Sequence, residues 1–98
     1  MIIKINFSQG KKVVAICDDN LAGQIIEEND KILDLSADFY KGEQVDEQKT
    51  IEIMKKANNL NLVGEQTIDF ALKEQIIDQD NIRTIKGIPF AQTSNMGD

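Results

Sequence analysis

Residues 2–17 constrain the fold more than any other stretch of this chain. Ile2-Ile3-Lys4-Ile5-Asn6-Phe7 alternates, with Ile3, Ile5 and Phe7 on one face. Ser8-Gln9-Gly10-Lys11 reads as a turn whose glycine tolerates a left-handed φ. Lys12-Val13-Val14-Ala15-Ile16-Cys17 then returns as a second apolar run. Two strand-like runs around so short a turn predict an antiparallel hairpin. A lone hairpin is marginal in water, so the rest of the chain must cover it.

Asp18, Asp19 and Asn20 offer a cap to a helix carrying Leu21, Ala22, Ile25 and Ile26 on one face and ending at Asn29. Residues 31–35 predict a third strand, and residues 36–42 a loop holding Phe39 and Tyr40. Asp46 caps a second helix with Val45, Ile51, Met54 and Ala57 on one stripe, widened by Ile53. Its acids at the start and Lys55 and Lys56 at the end suit the helix dipole. Residues 60–64 read as a connector or short strand, and residues 65–75 as a third helix with Ile68, Ala71 and Leu72 inward. Residues 82–86 read as a strand. In Gly87-Ile88-Pro89-Phe90-Ala91-Gln92 the one proline locks φ and removes a donor, which predicts a fixed turn pressed down by Phe90. Residues 93–98 read as a frayed tail. The expected architecture is one α+β domain over residues 1–98: a small mixed or antiparallel sheet, seeded by the N-terminal hairpin and packed by about three helices.

Composition removes several chemistries. There is no histidine, so the commonest general base and transition-metal ligand is missing. Ser-His-Asp and Cys-His nucleophiles are excluded within one chain. A single cysteine excludes a structural zinc site and an internal disulfide. The isolated glycines build neither a phosphate loop nor a dinucleotide fingerprint. No catalytic residue, cofactor or metal is therefore expected. Cys17 ends an apolar strand and is expected to be a small buried hydrophobe rather than a reactive thiol. The absence of a bilayer-length apolar run, of a basic leader and of a second cysteine predicts a cytoplasmic protein with no membrane role.

The net charge of −6 is unevenly spread. Residues 1–17 hold Lys4, Lys11 and Lys12 and no acid, whereas residues 18–47 hold ten acids against Lys31 and Lys41. This balance argues against direct nucleic-acid binding, whose affinity comes mostly from neutralised phosphates. Lys4, Lys11 and Lys12 leave one alternative, a translation-associated accessory protein touching RNA at a local basic edge. A second alternative is a small-ligand or divalent-metal-dependent binding protein or hydrolase using Asp18, Asp19 and Asp34. Asp34 and Asp38 would join Asp18 and Asp19 only if the third strand lay beside the second. Helix capping is the simpler use of Asp18 and Asp19.

The leading expectation is a non-catalytic module whose partner is another protein. Phe39 is expected inward and Tyr40 half-exposed, where an aromatic favours an interface. Asn58, Asn59, Asn61 and Gly64 make a polar connector, expected to face the Gly87–Gln92 turn. Phe90 would anchor an apolar contact there, and Gln92 offers both donors and an acceptor. The candidate interaction surface is Phe39, Tyr40, Asn58, Asn61, Gly64, Gly87, Pro89, Phe90 and Gln92.

Those segments carry a resemblance. Val14-Ala15-Ile16-Cys17-Asp18 with Leu21 and Gly23 resembles the first signature of an archaeal family, domain-of-unknown-function family number 424. Phe39-Tyr40 with Gly42, and Ala57-Asn58 with Asn61, Val63 and Gly64, resemble its middle signatures. Gly87-Ile88-Pro89-Phe90-Ala91-Gln92 resembles its terminal Gly-Val-Pro-His-Ala-Gln signature. The pieces fall in the family's order through nearly the whole chain. Phe90 stands where that signature has histidine, which implies a packing or contact role here. The resemblance implies an archaeal cytoplasmic protein of about this size, and it carries over no activity, cofactor or catalytic residue.

Overall fold

The computed structural model describes residues 1–94. The expected hairpin forms: β1 (Ile2–Ser8) and β2 (Lys11–Cys17) pair antiparallel from Ile2↔Cys17 to Ser8↔Lys11. Gln9 and Gly10 both have positive φ, which matches the twist of a two-residue hairpin turn. β3 (Ile25–Glu28) and β4 (Lys31–Asp34) form a second, separate hairpin. Beyond it come β5 (Glu43–Gln44), α1 (Glu47–Lys56), β6 (Asn59–Val63), α2 (Glu65–Lys73), β7 (Ile82–Ile85) and β8 (Ile88–Ser94). The main sheet has the order β5-β1-β2-β6-β8-β7, and only β2 and β6 run parallel.

The alternation of the strands gives this sheet two apolar faces. One face packs Ile3, Val14, Ile16, Leu60, Leu62 and Ala91 against Met54 and Ala57 of the α1 end and Ile68 and Ala71 of α2. The other packs Cys17, Val63 and Ile85 against Leu21, Ile26 and Leu35 at the β3–β4 hairpin. The middle layer is thus covered by helices on one side and by a hairpin on the other.

Four expectations are corrected. The helix expected across residues 20–28 is a short 3-10 turn at Asp19–Leu21 followed by β3, so the described residues hold two α-helices. The β-branched pair Ile25-Ile26 suits a strand, and its alternation leaves Ile26 buried and Ile25 56% exposed. Residues 87–92 are not an extended turn. The turn is Lys86-Gly87, both with positive φ, and the rest belongs to β8. Thr93 and Ser94, expected in a frayed tail, end that strand, while 95–98 lie outside the described residues. Ile5 and Phe7, expected on the apolar face, are 40% and 73% exposed where β1 runs past the helices.

α1 forms as the stripe predicts. Asp46 accepts from the Lys49 amide at 2.8 Å, and Thr50 Oγ1 donates to the Asp46 carbonyl at 2.7 Å. Lys55 and Lys56 stand in its last turn.

Candidate functional site

Two arrangements gather the residues singled out by the sequence. The first lies at the junction of β2, β6 and α2. Asp18 is buried, and its carboxylate serves a helix far along the chain. Its Oδ2 accepts from the Gln66 amide at 3.0 Å, and its Oδ1 accepts from the Thr67 amide at 2.8 Å and Thr67 Oγ1 at 2.7 Å. α2 begins after Gly64, which has no side chain to cap with, so Asp18 satisfies the orphan donors of the first turn in its place. Asp18 was expected to cap a helix right after itself; it caps α2 instead.

Pro89 belongs to the same junction. Ile85↔Ile88 flanks the two-residue turn as a bonded pair, so the polar groups of Pro89 point away from β7 and toward β6. The Pro89 carbonyl accepts from the Gly64 amide at 2.8 Å. Because Pro89 has no N–H to return, the Gly64 carbonyl is left for the Ile68 amide at 2.9 Å, the bond that starts α2. Pro89 thus costs no bond to β7, and the one bond it cannot return to Gly64 is replaced by the first bond of α2.

The second arrangement is a groove of about 280 Å³ between the β3–β4 hairpin and the sheet. Its walls include Lys31, Ile32 and Leu33 of β4 with Tyr40, and its floor Asn61, Val63, Phe90 and Gln92. An adjoining hollow shares Lys31, Phe90 and Gln92 and reaches Asn81 and Arg83. Asn61 and Gln92 are cross-strand partners on one face of the sheet. Neither side-chain amide is hydrogen-bonded among the described residues. Tyr40 stacks edge-on against Phe39, with ring centroids 5.3 Å apart. Burial, and to a lesser degree the nearby Cys17, push the Tyr40 phenol up to about 12.

Of the nine candidates, Tyr40, Asn61, Phe90 and Gln92 meet in this groove. Gly64 and Pro89 build the α2 junction, and Gly87 sits in the β7–β8 turn. Asn58 lies elsewhere: its Oδ1 accepts from the Lys12 amide at 2.9 Å at the start of β6. Phe39 is not the inward ring. It is Tyr40 that packs on the core cluster, while the Phe39 carbonyl accepts from Asn6 Nδ2 at 3.2 Å. Lys31 and Arg83 were not among the candidates. Isolated cations spaced far apart in sequence carry no signal until the hairpin folds over the sheet.

The acids do not converge. Asp19 pairs with the N-terminal amine at 2.8 Å and accepts from Gln44. Asp34 accepts from the Ser36 hydroxyl and amide, which lowers its pKa. Asp38 pairs with Lys41 at 3.4 Å. The third strand lies in the second hairpin, not beside β2, so Asp34 and Asp38 do not reach Asp18. Among the described residues, no three Cys, Asp or Glu side chains are grouped to hold a metal ion. Cys17 is fully buried, and burial with Asp18 and Asp19 nearby pushes its thiol up to about 11.

A family model described as a protein of unknown function, DUF424, matches residues 6–96. The chain belongs to the DUF424 family. The fold of this DUF424 chain is similar to the crystal structure of an uncharacterized conserved protein from Methanopyrus kandleri. That likeness has a TM-score of 0.76 and 22% identity, over 94% of this chain and 88% of that one. No curated protein matches. Among the described residues of this DUF424 chain, no helix is long and apolar enough to cross a membrane.

Proposed function

We propose that this DUF424 protein is a non-catalytic interaction module, cytoplasmic in location, whose working surface is the groove beneath the β3–β4 hairpin and whose partner is another protein. The observation that carries the reading is the meeting of Tyr40, Asn61, Phe90 and Gln92 in that groove, with the Asn61 and Gln92 amides unbonded. Half-buried rings supply apolar contact at little entropic cost, and side-chain amides offer both donors and acceptors. Asp18, the one buried acid among the described residues, caps α2, which speaks against its use as a base or metal ligand.

A photo-crosslinking residue at Asn81, which lines the hollow adjoining the groove, used in a lysate of the source organism, tests this. The expected result is one protein adduct that disappears with Phe90→Leu or Asn61→Ala and is not formed from a crosslinker at Lys73 on α2. Equal adducts from both positions, or none from Asn81, overturn the reading.

A second reading, contact with RNA in translation, is supported by Phe7, exposed across from Lys12 at the tip that also holds Lys11. It requires salt-sensitive RNA association lost on Phe7→Ala with Lys12→Ala.

A further inference from the structure

We propose that the open edge of β4 takes an extended, acidic segment of the partner protein as an added strand, with its carboxylates held by Lys31 and Arg83. The inference rests on the groove reading above and adds the chemistry of the occupant.

Three observations lead to it. The first is the edge. Leu35 donates to the Gln24 carbonyl at 2.8 Å, so the 24/35 pair is a bonded one. Bonded pairs alternate along an antiparallel ladder, so Ile26/Leu33 and Glu28/Lys31 are bonded as well. The Ile32 N–H and C=O therefore point away from β3. β4 has no second neighbour in either sheet, so these groups stand on an open edge, and Ile32 lines the groove. An unpaired edge beside an apolar floor is the arrangement in which a peptide adds a strand, with backbone bonds giving affinity and floor contacts giving selectivity.

The second is charge. The chain carries 17 acids and a net charge of −6, yet among the described residues Lys31 and Arg83 are the only charged ones lining the groove and its adjoining hollow. Neither makes an ion pair among the described residues. Glu28, opposite Lys31 in the hairpin, lines neither space, and its Oε1 accepts from the Lys86 amide at 2.9 Å. Two cations that are unpaired among the described residues, in a groove those residues line with no acid, are complementary to carboxylates.

The third is the floor. Phe90 and Val63 lie beside the Asn61 and Gln92 amides, so alternate side chains of an added strand meet apolar and polar contacts in turn. A nucleic-acid strand has no backbone ladder to offer Ile32, and the overall charge opposes it.

The probe is a short blocked peptide in which threonine alternates with valine and glutamate in turn, so that valine and glutamate share one face, titrated into the full chain and followed by amide NMR. Controls are the same peptide with lysine for glutamate, and oligouridylate. The expected result is saturable shifts of the Ile32 backbone amide and the Asn61 and Gln92 side-chain amides with the acidic peptide alone. Arg83→Glu should weaken that binding about tenfold, as loss of a charge-assisted contact does, and favour the lysine peptide. Ile32→Pro, which removes the edge donor, should abolish it. Ile32→Val, which keeps the donor, should not. Equal binding of both peptides, undiminished binding by a folded Ile32→Pro variant, or shifts of these amides by oligouridylate alone overturn the proposal. If Ile32→Pro and Arg83→Glu leave the Asn81 crosslink intact, this proposal falls while the interaction module stands. If the crosslink is absent too, both fall.

Discussion

Asp18 and Gly64 occupy one volume: a methyl group on Gly64 would lie 2.3 Å from Asp18 Cγ and 2.5 Å from both carboxylate oxygens. Gly64 also has a φ of +111°, which side chains rarely adopt. Gly64→Ala must therefore strain the backbone and expel the carboxylate that caps α2. The expected loss is about 2–4 kcal/mol in urea unfolding, from strain and overpacking together. A change within ~0.5 kcal/mol would show that the junction yields without cost.

The cap itself has a separate test. Thr67 donates twice to Asp18 Oδ1, through its amide and its hydroxyl. Asp18→Ala leaves the Gln66 and Thr67 donors unsatisfied at a buried helix start and should cost about 1–3 kcal/mol. Thr67→Val removes the hydroxyl donor and should cost about 1 kcal/mol. The double variant should lose less than the sum, because both act through one carboxylate. Additive losses would separate Thr67 from the cap.

Cys17 predicts how stability depends on alkaline pH. Its thiol is pushed from 9.0 to about 11 in the folded chain by burial and by Asp18 and Asp19. Below pH 9 both folded and unfolded states keep the proton, and the stabilisation is fully present. Between pH 9 and 11 the unfolded state ionises first, so stability falls as pH rises, by about 2–3 kcal/mol at most. Tyr40, raised from 10.0 to about 12, extends the same slope to higher pH. Urea midpoints taken across this range should decline, and Cys17→Ala should flatten the lower part of the curve. The thiol should also resist labelling at neutral pH unless denatured.

The parts of the fold legible in the sequence are those whose partners are local. The β1–β2 hairpin joins runs separated by a short turn, and Asp46 caps the helix it precedes. Residues 25–28 were not legible, because Ile25 and Ile26 satisfy a helix face and a strand equally until something chooses which is buried. Asp18 was legible as a cap but not as the cap of α2, which begins far along the chain. Pro89 suggested a turn because an interior strand ordinarily forbids it; its missing donor is tolerated only because Gly64 faces it and uses its own carbonyl for α2. In the groove, Phe90 and Gln92 were recognisable by residue type beside the proline, though in an expected turn rather than a strand, whereas Lys31 and Arg83 needed the hairpin to close over the sheet.

Gln92 and Phe90 separate binding from stability. Gln92 is exposed and its side-chain amide makes no hydrogen bond among the described residues, so Gln92→Ala should shift unfolding by no more than ~0.5 kcal/mol. Phe90 is half-buried against the Cys17–Val63–Ile85 cluster, so Phe90→Ala should cost about 1–3 kcal/mol, below the full price of a buried ring. Gln92→Ala should nevertheless weaken partner capture by the groove. Capture unchanged by Gln92→Ala would leave Phe90 as packing and the groove without a binding role.

The hairpin that roofs the groove is held at its tip by one bond, from the Lys86 amide to Glu28 Oε1 at 2.9 Å. Deeper in, Ile26 and Leu35 are buried against the sheet, while Ile25 and Ile32 face outward at 56% and 66% exposure. The tip should therefore loosen without the base following. Glu28→Ala is expected to cost under ~1 kcal/mol, as an exposed bond does. It should speed hydrogen exchange at Lys86 while leaving Leu35 protected, since local opening needs only the contacts it breaks. Glu28→Gln, which keeps an acceptor, should restore slow exchange at Lys86. Equal acceleration at Lys86 and Leu35 would mean that the hairpin opens as one unit, and the groove would then be gated by its whole roof rather than by the tip.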